Sequence, residues 1–554
     1  MMTHIQEPTE RVAELLALYG DPATSAAAVL CDQHPADRVA YTIVEPDLRT
    51  MTLTYGQLRE SSERFAAALA ARGVGPGDRV ATLMGKSAQY LIALLGIWRL
   101  GAVHVPLFTA FAPPAIATRL LGSGAKIVVC DSAQRPKLAP GDDIPPDPPW
   151  QLVVAADVHD DSTTAGALDF DDLLAGHQPG RPAVALGGEA PLIHVYTSGT
   201  TGQPKGVIVP TKALAGFRIY AEYALDLRAD DVYWCAADPG WAYGLYFGVL
   251  GSLTTGVTSV LLHAAFSPDL TFAVLDQQRV TNFAAAPTVY RAMRACGGAH
   301  PTPLSLRCAS SAGEPLTPEV NEWAEQTLGV PVFDHYGQTE AGMLVNNHHH
   351  PAVARPLRIA SMGQPMPGWA LRVLCDDRDE IAPPGAVGRI AAELSESPLA
   401  WFTGYDGDLA KSAEKFTTDR KWYLTGDAGR CDGGYFYFSS RDDDVIIMAG
   451  YRIGPFEVES VLATHPAVVE CAVVAAPDDV RGEVLEAYVA LREGEHGYDA
   501  LAEELKALVK RNYAAHAYPR VVHFVDALPK TASGKIQRYV LRQQRRRELE
   551  QQTS

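Results

Sequence analysis

The segment YTSGTTGQPKGV, from Tyr196 to Val207, places glycines, hydroxyl side chains and a lysine between two apolar runs. The apolar runs PLIHVY and GVIVP indicate strands, so the segment is predicted to be a loop between them. Glycines let backbone amides face an anion, hydroxyls donate further hydrogen bonds and a lysine adds positive charge. A polyphosphate-binding loop is therefore predicted, although a flexible surface hairpin would have a similar composition. The predicted contacts are Thr197, Ser198, Gly199, Thr200, Thr201, Gly202 and Lys205.

The loop does not follow the Walker pattern, in which a lysine preceded by widely spaced glycines is followed by serine or threonine. Here Lys205 is followed by Gly206, and the glycine spacing also differs. A P-loop ATPase or kinase is therefore disfavoured.

Composition limits the classes of protein that the chain can represent. The 554 residues exceed what one hydrophobic core usually organises, and the net charge of -18 is unlike that of a nucleic-acid-binding surface. The eight cysteines form no CxxC pair, which favours free thiols in a cytoplasmic protein over a disulfide framework or a zinc site. We expect no secretory signal and no membrane span, and we expect the apolar stretch from Leu91 to Phe108 to form a buried helix and strand.

Alternating helix and strand patterns predict an α/β fold for most of the chain. A region from about 350 to 440, rich in glycine, aromatic and β-branched residues, predicts a smaller β subdomain. A compact α+β unit follows Arg441. We therefore predict a large N-terminal domain of several subdomains (1–440) that carries the main site, and a smaller, mobile C-terminal domain (441–554).

Five further segments accompany the glycine-rich loop in a fixed order: AGEP (312–315), DHYGQTEAG (334–342), YLTGDAG (423–429), SRDDDVIIMAGYRIGPFEVE (440–459) and PKTASGKIQR (529–538). Together they resemble the motifs of the adenylate-forming superfamily, which includes acyl-CoA synthetases, luciferases and peptide-synthetase adenylation domains. The strings are most similar to those of the medium-chain and short-chain acyl-CoA synthetases. Ser440 and Ala449 depart from the residues most often found there.

The resemblance implies a site for ATP, with Mg²⁺ held by Glu340 and the phosphates, since magnesium favours one or two carboxylates plus phosphate oxygens. Lys535 is implied to be the adenylation catalyst, and Thr339 to contact the α-phosphate. Tyr336 is implied to stack on adenine, and Asp427 to bind the ribose hydroxyls. The remaining implied nucleotide contacts are Gly313, Glu314, Pro315, Asp334, His335, Gly337, Gln338 and Arg441.

The resemblance also implies a second step, in which a thiol attacks the acyl group after the C-terminal domain has rotated. Asp443 is the implied hinge, and Gly450, Tyr451 and Arg452 are implied to line the CoA tunnel. In acetate-specific relatives a tryptophan stands at the position of Gly337, so glycine leads us to expect a bulkier acid than acetate. The expected acyl-pocket residues are Trp241, Ala242, Tyr243, Gly244, Ala312 and Gly337.

The sequence thus predicts an AMP-forming ligase whose partners are a small carboxylic acid, ATP and CoA. Two alternatives stay open: an enzyme that loads an acyl group onto a carrier protein's phosphopantetheine, and a non-catalytic homologue that binds nucleotide or acid. The intact Lys535 disfavours the second alternative. A dimer is compatible with the sequence, and the polar segment NNHHHP (346–351) is interpreted as a solvated loop.

Overall fold

The computed structural model describes residues 7–156, 166–197, 204–296, 303–441, 444–448, 451–478, 482–514, 517–531 and 535–553. In these ranges the α-helices are α1 (Pro8–Gly20), α2 (Tyr55–Ala70), α3 (Ala88–Arg99), α4 (Pro113–Ser123), α5 (Phe170–Ala175), α6 (Leu214–Ile219), α7 (Gly251–Thr255), α8 (Pro268–Gln277), α9 (Pro287–Ala295), α10 (Pro318–Thr327), α11 (Leu409–Ala413), α12 (Pro455–Leu462), α13 (Asp499–Asn512) and α14 (Arg538–Thr553).

The strands of the same ranges are β1 (Val39–Val44), β2 (Thr50–Thr54), β3 (Arg79–Leu83), β4 (Val103–Pro106), β5 (Ile127–Asp131), β6 (Gln151–Ala155), β7 (Leu168–Asp169), β8 (Pro191–Thr197), β9 (Lys205–Pro210), β10 (Val232–Cys235), β11 (Thr258–Leu262), β12 (Asn282–Ala285), β13 (Cys308–Ala312), β14 (Val332–Gln338), β15 (Gly342–Asn346), β16 (Gln364–Pro365), β17 (Leu371–Leu374), β18 (Val387–Glu393), β19 (Trp422–Asp432), β20 (Tyr435–Arg441), β21 (Ile446–Met448), β22 (Tyr451–Ile453), β23 (Val468–Asp478), β24 (Gly482–Leu491) and β25 (Val521–Val525). Two π-helical segments, Tyr220–Ala224 and Gly244–Leu250, lie beside the site described below.

Two largely parallel sheets form the core of the first 365 residues. Among the described residues, one sheet has the strand order β7-β6-β5-β3-β4-β8-β9, and the other has the order β16-β15-β14-β13-β12-β10-β11-β1-β2. Their parallel strands are joined through helices, as the alternating pattern predicted. The α/β fold class is confirmed.

Local chemistry explains where individual helices begin. Thr54 and Gln57 form a reciprocal capping box at the start of α2, which satisfies two amides that have no partner inside the helix. Ser87 caps α3 by accepting a hydrogen bond from the amide of Tyr90. Helix α3 and strand β4 are almost wholly buried, so the expectation of a buried helix and strand from Leu91 to Phe108 is confirmed.

The later part of the chain changes character, as its composition predicted. Strands β17 to β20 form an antiparallel sheet, and β20 ends at Arg441. Strands β21 to β25 form another sheet, which packs on helices α12 and α13 around its own apolar cluster. Strand β21, the first strand of this sheet along the chain, begins at Ile446.

Two global expectations concern membranes and thiols. No helix in the described ranges is both long enough and apolar enough to span a bilayer. All eight cysteines are free.

Candidate active site

The glycine-rich segment lies between two paired strands, as predicted. Strands β8 and β9 are antiparallel, with Thr197 opposite Lys205 at the end of the ladder. Of the predicted loop contacts, Thr197 and Lys205 lie within the described residues. The others lie outside them: Ser198, Gly199, Thr200, Thr201 and Gly202.

One tyrosine connects the base of this hairpin to the predicted magnesium ligand. The Lys205 ammonium lies 5.0 Å from the centre of the Tyr405 ring, and the Tyr405 hydroxyl donates a 2.8 Å hydrogen bond to Glu340 Oε1. The backbone amide of Asp406 donates to the carbonyl of Gly206, which fixes this segment against β9. Lys205 and Glu340, distant in sequence, therefore both contact Tyr405, one over its ring and the other at its hydroxyl.

Glu340 fits a magnesium ion that is shared with phosphates. Its carboxylate is buried, and Tyr405 uses one lone-pair direction of Oε1, so oxygen ligand positions remain for a cation. Among the described residues, no cluster of three or more histidine, cysteine or acidic side chains could hold a metal ion alone. The single carboxylate of Glu340 suits a cation that takes most of its ligands from a polyphosphate.

The predicted ribose carboxylate lies in a network with β14. Asp427 Oδ2 accepts hydrogen bonds from the Tyr336 hydroxyl (2.5 Å) and from Gln338 Nε2 (2.6 Å). The Tyr423 hydroxyl donates to Gln338 Oε1 at 2.9 Å, which orients the amide. Burial raises the pKa of Asp427, while Arg441, opposite it in the β19–β20 ladder, lowers that pKa. The structure thus brings Tyr336, Gln338, Asp427 and Arg441 together.

Lys535 approaches this network from the C-terminal sheet. Its backbone amide donates to Thr531 Oγ1 at 3.1 Å, and its carbonyl accepts from the Thr531 amide at 2.7 Å. Water reaches the side chain, yet the surrounding protein removes much of its hydration, and this desolvation lowers the pKa of Lys535. The charge of Glu314 opposes this effect, and Arg441 adds to it. The lysine therefore lies close enough to the predicted nucleotide residues to interact electrostatically with them.

The AGEP turn and the start of the β14 motif lie side by side, because strands β13 and β14 are paired. Glu314 is held by a 2.8 Å ion pair with Arg291, and Gly313 has a φ of +101°, which favours glycine. Asp334 is buried, and burial raises its pKa to about 8. Its Oδ2 accepts a long hydrogen bond of 3.5 Å from the Leu316 amide. Burial therefore favours the neutral form of Asp334, which can donate a hydrogen bond as well as accept one.

The predicted acyl-pocket residues divide into two groups. Trp241 packs on Phe108 and Phe111, with ring centroids 5.3 Å away in both cases. Tyr243 instead packs on Phe247 and hydrogen-bonds to Tyr220 at 2.9 Å. Trp241 and Tyr243, both expected at the acyl pocket, therefore pack against different apolar clusters.

Two predicted pocket glycines are explained by backbone packing. A Cβ on Gly244 would lie 2.2 Å from the carbonyl oxygen of Asp238, and one on Gly337 would lie 2.3 Å from that of Gly342. The β14–β15 register also shifts between Tyr336 and Gly337. Close backbone packing in this chain also explains glycine at position 337, so this residue alone is weak evidence for a bulky acid.

The interpretation of residues 346–351 as a solvated loop was wrong. Asn346, Asn347 and His348 are buried, and His349 stacks on Phe333 with ring centroids 3.9 Å apart. Asn347 Nδ2 donates to the carbonyls of Asp334 and Ser361, so the segment supports the back of β14. The polar composition of this segment indicated solvent exposure, but its side chains contact residues from other parts of the chain and are buried by them.

The residues predicted to serve the second step are Asp443, Gly450, Tyr451 and Arg452. Asp443 and Gly450 lie outside the described residues. Tyr451 and Arg452 belong to strand β22, where the backbone alone is described. The hinge and the CoA contacts stay predictions.

Sequence reasoning missed two residues of the site besides Tyr405. Lys415 donates to the carbonyl of Thr425 at 2.8 Å, and burial lowers its pKa while the charges of Glu340 and Asp427 raise it. Tyr220 bonds to both Tyr243 and His335. Neither residue belongs to a recognisable motif, so no local signal identified them.

Comparison with known proteins agrees with this geometry. A family model described as AMP-binding enzyme matches residues 28–395, and one described as AMP-binding enzyme C-terminal domain matches residues 457–535. The chain belongs to the AMP-binding enzyme family. It is thus a member of the adenylate-forming superfamily and an acid–thiol ligase of the acyl-CoA synthetase type.

Relatives cover most of the chain. It is 36% identical to an acetyl-coenzyme A synthetase of Bacillus subtilis, over 88% of this chain and 84% of the relative. It is also 36% identical to the human mitochondrial acyl-coenzyme A synthetase ACSM4, over 85% of this chain and 80% of that protein. The crystal structure of a Brucella canis acyl-CoA synthetase is 40% identical with a TM-score of 0.76, covering 98% of this chain and all of that one. A benzoate CoA ligase from Burkholderia xenovorans is 31% identical with a TM-score of 0.81, covering 94% of this chain and 100% of that one.

Proposed function

We propose that this enzyme activates a carboxylic acid with ATP and transfers the acyl group to CoA. In the first step an oxygen of the acid attacks the α-phosphorus of ATP, and pyrophosphate leaves. In the second step the CoA sulfur attacks the acyl carbonyl, and AMP leaves. The products are acyl-CoA, AMP and pyrophosphate.

The observation that carries the proposal is the position of Lys535 among Glu314, Asp427 and Arg441. Attack of a carboxylate on a phosphate brings two anions together, and a positioned cation lowers the barrier for that approach. Lys205 and Lys415 add positive charge beside Glu340, where polyphosphate oxygens and Mg²⁺ would gather. A bound Mg²⁺ would supply charge neutralisation at the phosphates.

Asp334 and Tyr336 would form the adenine part of the site. A neutral, buried Asp334 can pair with the donor and acceptor edge of a purine. Tyr336 is fixed through its hydroxyl by Asp427, which sets the angle of a ring that could lie against the base. Asp427 keeps a second oxygen for a ribose hydroxyl.

We further propose that the acid is bulkier than acetate. The aromatic groups around Trp241 and Tyr243 offer apolar surface for an acid bulkier than acetate. Acetyl-coenzyme A synthetases are nevertheless among the similar relatives, and Gly337 has a structural explanation of its own. Acetate therefore belongs in any test of substrate range.

The deciding experiment measures pyrophosphate release over acetate and a series of straight, branched and aromatic acids, each with and without CoA. We expect acid-dependent release and a matching acyl-CoA product for at least one bulky acid. Release without any CoA ester would favour the carrier-protein alternative. If no acid supports release or ATP–pyrophosphate exchange, the proposed function is wrong.

A further inference from the structure

Four residues form a continuous hydrogen-bonded chain behind the site. The hydroxyls of Tyr243 and Tyr220 lie 2.9 Å apart, and the Tyr220 hydroxyl lies 2.7 Å from His335 Nδ1. His335 Nε2 lies 2.8 Å from the carbonyl oxygen of Asn347. Tyr243 and Tyr220 stand at the starts of the two π-helical segments, a distortion that is frequent at functional sites.

The buried end of this chain determines which atom is the donor in each hydrogen bond. The Asn347 carbonyl can only accept, so His335 Nε2 carries the hydrogen. Burial lowers the pKa of His335 well below its usual value, so the ring is neutral and Nδ1 is a bare acceptor. Tyr220 must then donate to Nδ1, and its oxygen accepts the hydrogen of Tyr243.

The hydroxyl of Tyr243 is therefore left with lone pairs alone. Tyr220 and His335 are buried, whereas Tyr243 is partly exposed. Its packing partner Phe247 follows Tyr246, whose hydroxyl donates to the carbonyl of Thr339 at 3.1 Å. Tyr243 thus presents an acceptor close to the segment of β14 and Glu340, where the acid would react.

We propose that the acid activated by this enzyme carries a hydrogen-bond donor, a hydroxyl or an uncharged amino group, that binds to Tyr243 Oη. This inference rests on the proposed function and narrows its substrate class. A partly buried acceptor left without a donor costs free energy, so a site of this kind disfavours analogues that lack the donor. A purely apolar acid would fill the same space without using this atom.

The test compares matched acids that differ in one group: hydroxy and keto acids of one carbon skeleton, and aryl acids with a hydroxyl or a fluorine at each ring position. We expect the wild-type enzyme to favour one donor-bearing member by roughly tenfold in kcat/KM for pyrophosphate release. Tyr243→Phe should abolish this preference, because it removes the acceptor.

Tyr220→Phe provides the sharper result. Without the Tyr220 oxygen, the hydrogen of Tyr243 is released and can point towards the substrate. The kcat/KM for the keto member should then rise above its wild-type value, by roughly tenfold, since a donor now faces its oxygen. Damage to the fold would lower activity towards both members and could not produce this gain.

Tyr233→Phe is the matched control. Tyr233 is a buried tyrosine of strand β10 whose hydroxyl takes no part in this chain of hydrogen bonds. Its removal should leave the ratio of the paired acids unchanged. If Tyr220→Phe does not fold, the loss of preference in Tyr243→Phe decides the question.

Two outcomes overturn the inference. An enzyme that activates acids but shows the same ratio of paired acids in wild type and Tyr243→Phe does not use the Tyr243 oxygen, while the proposed function stands. An enzyme that activates no acid in either series, with acetate and unsubstituted acids included, refutes the proposed function and this inference with it.

Discussion

Tyr405 links two charged groups that the chain keeps far apart in sequence. Its ring lies under the ammonium of Lys205, and its hydroxyl holds Glu340 Oε1. A hydrogen bond of this kind orients a carboxylate before a cation arrives, and such supporting contacts commonly matter tenfold or more for metal affinity. Tyr405 therefore acts through Glu340 and is a positioning residue.

We predict that Tyr405→Phe raises the Mg²⁺ concentration needed for half-maximal ATP–pyrophosphate exchange by about tenfold, with a smaller change at saturating Mg²⁺. The measurement is a magnesium titration of the exchange rate. Tyr435→Phe is the control, because that hydroxyl donates to the carbonyl of Pro356, on the β subdomain. An unchanged magnesium requirement in Tyr405→Phe would contradict the role assigned to this hydrogen bond.

The β14–β15 hairpin is the element on which most of the site depends. It carries Tyr336 and Gln338 on one strand, and its register shifts immediately before Gly337. A side chain at position 337 would enter the space of the Gly342 carbonyl and of Met343. In this chain a Cβ at position 337 therefore requires the backbone of β14 or β15 to shift.

We expect Gly337→Ala to lower the free energy of unfolding by about 1–3 kcal/mol, the usual cost of overpacking. Chemical denaturation with a fixed denaturant slope measures this change. Gly216→Ala is the matched control, because Gly216 lies in α6 with no atom within 4 Å of its Cβ position, so alanine should be neutral or slightly stabilising. Equal stability of the two variants would show that the hairpin adapts.

The sequence predicted those elements whose residues carry their own chemistry. The strands on either side of the glycine-rich loop and the helix and strand between Leu91 and Phe108 lie where their patterns indicated. The motif residues Tyr336 and Asp427 are hydrogen-bonded to each other, and their roles stay predictions. Each of these depends on local composition or on a short string of residues.

What sequence reasoning missed depends on contacts between distant segments. Tyr405 lies in the site because its neighbour Asp406 pairs with Gly206. No sequence pattern near position 405 predicts this pairing. The NNHHH segment has the composition of a loop, but β14 and Phe333 bury it. Tyr220 gains its role from partners 23 and 115 residues away.

At the scale of the whole molecule, the two ends of the site come from different sheets. Glu314, Glu340 and Asp427 belong to the N-terminal part, whereas Lys535 follows β25 of the C-terminal sheet. Lys535 interacts electrostatically with these carboxylates, and we propose that this arrangement serves the first chemical step. The second step needs a path for a thiol, which we propose opens when the C-terminal part rotates.

We therefore predict that Lys535 serves the first step, formation of the acyl-adenylate, and not the second. Lys535→Ala should reduce acid-dependent ATP–pyrophosphate exchange by roughly 100-fold or more, since it removes a positioned charge from the transition state. Conversion of a supplied acyl-adenylate and CoA to acyl-CoA should stay within about threefold of wild type, because no anion then attacks a phosphate. Lys530→Ala is the control from the same segment, since that lysine pairs with Glu470 at 2.6 Å. Equal losses in both half-reactions would show that Lys535 maintains the arrangement of the domains, whereas unchanged exchange would remove it from the chemistry.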